Sequence, residues 1–115
     1  MARYTCLLTL GVSVDKLQPL MNETLKSCNL DVIYTTHDYM MAKEVPGNVA
    51  FPKLVTAEVL IDLTTATSEE VKMSIVMKNE ELPLKTDNHC RQVFDSVTKA
   101  VSNNQNWRLI ETVTG

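Results

Sequence analysis

Long apolar runs are missing from this 115-residue chain, and nothing approaches the roughly eighteen consecutive residues of a membrane-spanning helix. Glycine is scarce: Gly11, Gly47 and Gly115 stand far apart, which excludes a glycine-rich loop that cradles phosphate. Aromatic residues make up only 5% of the chain. Trp107 is the single tryptophan, and Arg3, Arg91 and Arg108 are scattered, so there is no basic–aromatic platform for single-stranded nucleic acid. Basic residues number 11 against 14 acidic ones, net −3. That balance lacks the cationic stripe needed to displace counterions from a nucleic acid. Cys6, Cys28 and Cys90 are odd in number and widely spaced. They fit reduced thiols and a cytoplasmic compartment better than a disulfide framework. Taken with His37 and His89 they show none of the close spacings of a zinc site, so neither a metal nor another cofactor is expected. The first ten residues have too short an apolar run for a signal peptide and suit a strand instead.

What is present is ordinary for a globular protein: 44% hydrophobic and 22% charged residues. The length fits one domain, residues 1–115, able to bury about two-thirds of its unfolded surface.

The strongest pattern is a pair of alternating segments. Val55, Ala57, Val59, Ile61 and Leu63 occupy every second position of one, and Val71, Met73, Ile75 and Met77 do so in the next. Period two places these side chains on one face of a pleated ribbon, an antiparallel hairpin with one face against a core. Residues 3–11 predict a further strand. A helix is expected to follow, with Asp15 as N-cap, Gln18 at the third position and Pro19 in the first turn. Its stripe is Leu17, Leu20, Met21, Thr24, Leu25 and Cys28, and Asn29 ends it. Residues 30–36 alternate again, with Leu30, Val32 and Tyr34 against Asp31, Ile33 and Thr35. His37-Asp38 is a turn candidate before a strand from Tyr39 to Val45, the alternative being one long bulged strand, and Pro46-Gly47-Asn48 is another turn. Leu82-Pro83-Leu84 ends the sheet. A second helix beginning near Thr86 or Asp87 carries Cys90, Val93, Phe94, Val97, Ala100 and Val101. Trp107 to Val113 reads as a last edge strand.

The fold class is therefore α+β: a curved antiparallel sheet with two helices packed on one face, in the order β-α-β-β-β-β-α-β. That arrangement resembles the TBP-like fold, or half of a helix-grip (START-like) domain. The stretches Glu44-Val45-Pro46-Gly47-Asn48-Val49-Ala50-Phe51 and Lys78-Asn79-Glu80-Glu81-Leu82-Pro83-Leu84, with Asp87-Asn88-His89-Cys90-Arg91-Gln92, resemble a family of small conserved cyanobacterial proteins. The resemblance implies a cytoplasmic bacterial protein and carries over no activity.

Several residues are candidates for function. If the hairpin's odd positions face the helices, the other face holds Thr56, Glu58, Leu60, Asp62, Lys72, Ser74, Val76 and Lys78, joined by Leu7, Ile33 and Ile110. Apolar residues among charges on an uncovered face suggest a contact surface. The expected interface is Leu7, Ile33, Leu60 and Val76, rimmed by Glu58, Asp62, Lys72 and Lys78. The expected partner is a second copy or another protein, with no nucleic acid and no membrane. A thiol nucleophile at His89-Cys90 is disfavoured, because adjacent helical residues point about 100° apart and Cys90 shares a stripe with Val93 and Val97. Glu69-Glu70 and Glu80-Glu81 read as solvated strand ends. The chain is thus expected to be a non-enzymatic interaction module. The alternative is a binder of a small apolar ligand held near Met73, Met77, Val97 and Val101, where flexible methionines could adapt to an occupant.

Overall fold

The computed structural model describes residues 1–83 and 87–114. In it the chain forms β1 (Ala2–Gly11), α1 (Val14–Ser27), β2 (Leu30–Thr36), β3 (Tyr39–Glu44), a 3-10 turn (Phe51–Lys53), β4 (Thr56–Asp62), β5 (Val71–Asn79), α2 (His89–Ser102) and β6 (Arg108–Thr114). The six strands make one open antiparallel sheet in the order β2-β3-β4-β5-β1-β6. The α+β class and the element order expected from the sequence are those of the structure. Among the described residues no helix is long and apolar enough to cross a membrane.

The hairpin alternation is realised as expected except at Leu63, which lies beyond the end of β4 and is 37% exposed. Val55, Ala57, Val59, Ile61, Val71, Met73, Ile75 and Met77 are all buried, beside Cys6, Leu8 and Leu10 of β1. Leu17, Met21 and Leu25 of α1 and Cys90, Phe94, Val97 and Val101 of α2 close the same core. The longest ladder joins β1 to β5, from Ala2 opposite Asn79 to Leu10 opposite Val71. Trp107 lies just before β6 rather than in it. Its indole N–H donates to the Val101 carbonyl at 2.9 Å, which ties the end of α2 to the start of the last strand.

Three local expectations are corrected. α1 starts at Val14 with Ser13 at the cap position, so Asp15 lies in the first turn and does not cap. Pro19 then falls in the second turn, where its missing N–H leaves the Asp15 carbonyl to solvent at an exposed site. Gln18 does not close a capping box; its side-chain amide donates to the Thr36 carbonyl at the end of β2.

In β2 the ladder shifts between Val32 and Tyr34, which makes Ile33 the extra residue of a bulge. Val32 opposes Ala42 on the core side, while Tyr34 opposes Met41 on the other. Strict alternation through Leu30, Val32 and Tyr34 therefore breaks, because one unpaired residue reverses the phase.

The second helix begins at His89, later than Asp87. Asn88 supplies the cap, its Oδ1 accepting from the Arg91 N–H at 2.9 Å. Thr86, and Leu84 at the end of the sheet, lie outside the described residues.

Candidate functional site

The register across the strands arranges the side chains opposite the helices into four rows. The first row holds Asp31, Lys43, Thr56, Lys78 and Arg3, and the second Tyr34, Met41, Glu58, Val76 and Thr5. The third holds Thr36, Tyr39, Leu60, Ser74, Leu7 and Val113, and the fourth Asp62, Lys72, Thr9 and Glu111. The two middle rows mix apolar and tyrosine side chains with Thr5, Thr36 and Ser74 and carry one charge, Glu58. The first row is mainly cationic and the fourth mainly anionic.

The structure brings most of the sequence-predicted interface together on this face. Leu7 is 52% exposed, Leu60 46% and Val113 47%, with Leu7 and Leu60 on either side of Ser74 and Val113 beside Leu7. Ile33, at the β2 bulge, is 54% exposed but sits at the sheet's far edge. Val76 is a correction. It belongs to the face by register, yet it is only 7% exposed. It lies on the central strand β5 with Glu58 and Thr5 directly opposite it on the two neighbouring strands, and side chains on both flanks cover a short valine.

The rim charges are organised rather than loose. Glu58 bridges three strands: Oε2 accepts from the Tyr39 hydroxyl at 2.5 Å and Oε1 lies 3.0 Å from Lys78 Nζ. The Tyr39 hydroxyl, assisted by the Lys78 ammonium, holds the Glu58 carboxyl below the usual carboxylate range. The same hydrogen bond, with desolvation, pushes the Tyr39 phenol up to about 12. Asp62 is fixed at the strand end, accepting from the Thr64 hydroxyl and amide and from the Thr65 hydroxyl, and these hold its carboxyl down. A hollow of about 220 Å³ opens on the face among Leu7, Leu60, Asp62, Lys72 and Val113. At the other end of the strands, a half-open groove of about 560 Å³ is lined by Ile33, Lys43, Thr56 and Lys78, with Val45 and Phe51 from the β3–β4 connection.

The four side chains expected around a small apolar ligand, Met73, Met77, Val97 and Val101, lie inside the packed core at 2% exposure or less. Met73 alone of the four also lines a hollow described above, the one of about 220 Å³ on the open face.

One polar cluster escaped the sequence reading. His89 Nε2 lies 2.9 and 2.8 Å from the two carboxylate oxygens of Glu44, and Glu44 Oε1 also accepts from the Val55 amide at 3.0 Å. Glu81, expected at a solvated strand end, is instead buried. Its Oε2 accepts from the His89 N–H at 3.1 Å, and its Oε1 from the Cys90 N–H at 2.9 Å and from Asn79 Nδ2 at 2.6 Å. A carboxylate on the first amides of a helix satisfies orphan donors and complements the helix dipole. The available signal was phase: Glu44 follows Met40 and Ala42, and Asn79 follows Ile75 and Met77, on the core side of their strands. Cys90 lies beside this cluster. Burial, with the nearby Glu81 and Glu44 charges, pushes its thiol up to about 12, which opposes thiolate chemistry. Among the described residues no three histidine, cysteine or acidic side chains come together as a metal site.

The chain matches no family model, no curated protein and no solved structure.

Proposed function

We propose that this chain is a non-enzymatic interaction module that self-associates through the open face of its sheet. The observation that carries this reading is the apolar middle of that face. Tyr39, Leu60, Leu7 and Val113 stand in one row interrupted by Ser74, with both leucines about half exposed and no helix over them. Contiguous exposed apolar surface rimmed by charge marks contact surfaces more often than scattered single residues do. Covering what remains exposed of Leu7 and Leu60 contributes roughly 2 kcal/mol per side chain before ordering costs. The groups with acid–base or nucleophilic potential are meanwhile committed to structure: Glu44 to His89 and Val55, Glu81 to the start of α2, and Cys90 to the core.

The test is sedimentation velocity on the intact chain over a wide concentration range, beside Leu7→Asp and Leu60→Asp. Both sites are exposed, so the variants should keep the wild-type circular dichroism. A concentration-dependent dimer in the wild type that either substitution abolishes supports the proposal. A wild-type monomer at every concentration overturns it.

A further inference from the structure

The segment between β3 and β4, residues 45–55, is fixed at several points although much of it is exposed. The Val45 N–H donates to the Asn29 carbonyl at 3.0 Å, and in the 3-10 turn the Lys53 N–H donates to the Ala50 carbonyl at 2.8 Å. The buried Asn79 side chain donates to the Lys53 carbonyl at 2.9 Å, and the Glu80 N–H to the Pro52 carbonyl at 3.2 Å. Pro46 and Pro52 restrict the backbone at two further positions. On this frame Phe51 is 82% exposed, more than any other large hydrophobic residue described. An apolar ring held in water by a fixed backbone is unfavourably hydrated, and a ligand that covers it removes that cost.

Val45, Pro46, Phe51, Pro52 and Leu54 line the half-open groove of about 560 Å³, and Ile33 at the β2 bulge lines it from a different strand. That volume falls in the range of small-molecule sites, which are concave, mostly apolar and largely pre-formed. A site already held in place loses little binding energy to ordering its side chains. The exposed Phe51 ring favours a second flat ring, because aromatic pairs contribute beyond the area they bury.

Charge sets the class of ligand. Lys43 stands opposite Asp31 in the ladder, Lys78 lies 3.0 Å from Glu58, and Glu44 is bound to His89. The remaining carboxylate of the lining, Glu80, is exposed just past the end of β5. A charged ligand entering among groups already matched gives up its hydration without gaining a counter-ion, whereas an uncharged one does not. The first row of the sheet, with Asp31, Lys43, Thr56 and Lys78, lies between this groove and the apolar rows of the open face. The groove is therefore a separate surface from the one assigned to self-association.

We propose that this groove is the binding site of a small uncharged molecule with a flat apolar ring, which packs on Phe51 and is enclosed by Ile33 from the neighbouring strand.

The experiment is a fluorescence titration of the intact chain with two dyes. N-phenylnaphthylamine is uncharged and brightens on leaving water, and anilinonaphthalene sulfonate carries the same rings with an anionic group. The uncharged dye is expected to bind saturably, one per chain, and about tenfold more tightly than the anion. Phe51→Ala and Ile33→Asp are both at exposed positions, so each should keep the wild-type circular dichroism. Each is expected to weaken the uncharged dye on the order of tenfold. Leu60→Asp, on the open face, is expected to leave its affinity unchanged. Absence of saturable binding overturns the proposal, and so does a groove variant that stays within about twofold of wild type. An anion that binds as tightly as the uncharged dye overturns the ligand class. Binding lost in Leu60→Asp and kept in Phe51→Ala would place the dye on the open face and overturn the site. None of these outcomes bears on self-association, which sedimentation tests separately.

Discussion

Glu44 and His89 meet across the gap between the end of β3 and the start of α2, with His89 Nε2 2.8 Å from Glu44 Oε2. The Glu44 side chain is 5% exposed and that of His89 17%, so little water competes for the contact. Because Glu44 also accepts from the Val55 amide, one carboxylate joins α2, β3 and the segment entering β4. Glu44→Ala leaves both partners without their acceptor, and hydrogen bonds to a charged group are worth about 1.5–3 kcal/mol net. The expected loss is about 3 kcal/mol by urea unfolding. Glu44→Gln, which keeps an acceptor for Val55, should lose about half as much. Equal losses from the two variants would show that the amide contact contributes nothing.

Asn88 and Glu81 cap the same helix from two directions. Asn88 takes the Arg91 amide, and Glu81 takes those of His89 and Cys90. Asn88→Ala should cost about 1–2 kcal/mol, the upper part of the capping range, because the side chain is also buried. Asn88→Asp restores the acceptor for Arg91 but not the donation from Asn88 Nδ2 to the Leu82 carbonyl, so it should recover only part of this. Thermal melts decide it, and an Asp variant no better than Ala would sink the capping role.

The Cys90 thiol is held at about 12 against an ordinary value of 9.0 by burial and by Glu81 and Glu44. A raised thiol means that the folded chain keeps a proton which the unfolded chain releases. Its stabilisation is complete below about pH 9 and declines as pH rises from there toward 12. Wild-type stability should therefore fall over that window more steeply than that of Cys90→Val, which lacks the group. At pH 8 iodoacetamide should label the partly exposed Cys28 first and leave Cys6 and Cys90 unmodified in the folded chain. Rapid native labelling of Cys90, mapped by peptide mass, would contradict its placement.

Glu58 and Tyr39 shift each other in opposite directions, the carboxyl down and the phenol up to about 12. A lowered carboxyl contributes stability that is present above its ordinary value of 4.5 and is lost as pH falls through the folded one. Tyr39→Phe removes the largest cause and should move the Glu58 carboxyl resonance back toward its ordinary midpoint, at a stability cost under about 1 kcal/mol. Glu58→Gln should bring the Tyr39 phenol down toward 10 in an absorbance titration differenced against Tyr39→Phe. An unmoved phenol would show that the hydrogen bond does not persist in solution.

Much of the architecture was legible because the hairpin and both helices obey local periodicity. Val55 to Ile61 and Val71 to Met77 alternate without interruption, and side-chain direction along a strand follows from chain geometry alone. The same rule correctly placed Leu7 and Leu60 on the uncovered face. It failed at Tyr34, which the bulge at Ile33 turns away from the core side without any composition signal, and at Val76, whose burial depends on what stands beside it on two other strands. Glu81 was misjudged because a strand end is solvated only if no helix begins there, and the start of α2 is brought to it by tertiary packing.

The sequence by itself determined the number and kind of elements, the core face of each central strand, the stripes of both helices and the turns at His37-Asp38 and Pro46-Gly47-Asn48. These depend on interactions between residues a few positions apart, so a linear pattern encodes them. Only the tertiary structure decided that β1 enters the sheet between β5 and β6. That pairing lined up Leu7 with Ser74 and Leu60, and set Arg3 and Glu111 at opposite ends of one face. Glu44 and His89, 45 residues apart, met for the same reason. Strand order and long-range polar contacts arise from how whole elements share one core. That is a property of the assembled chain and of no segment within it.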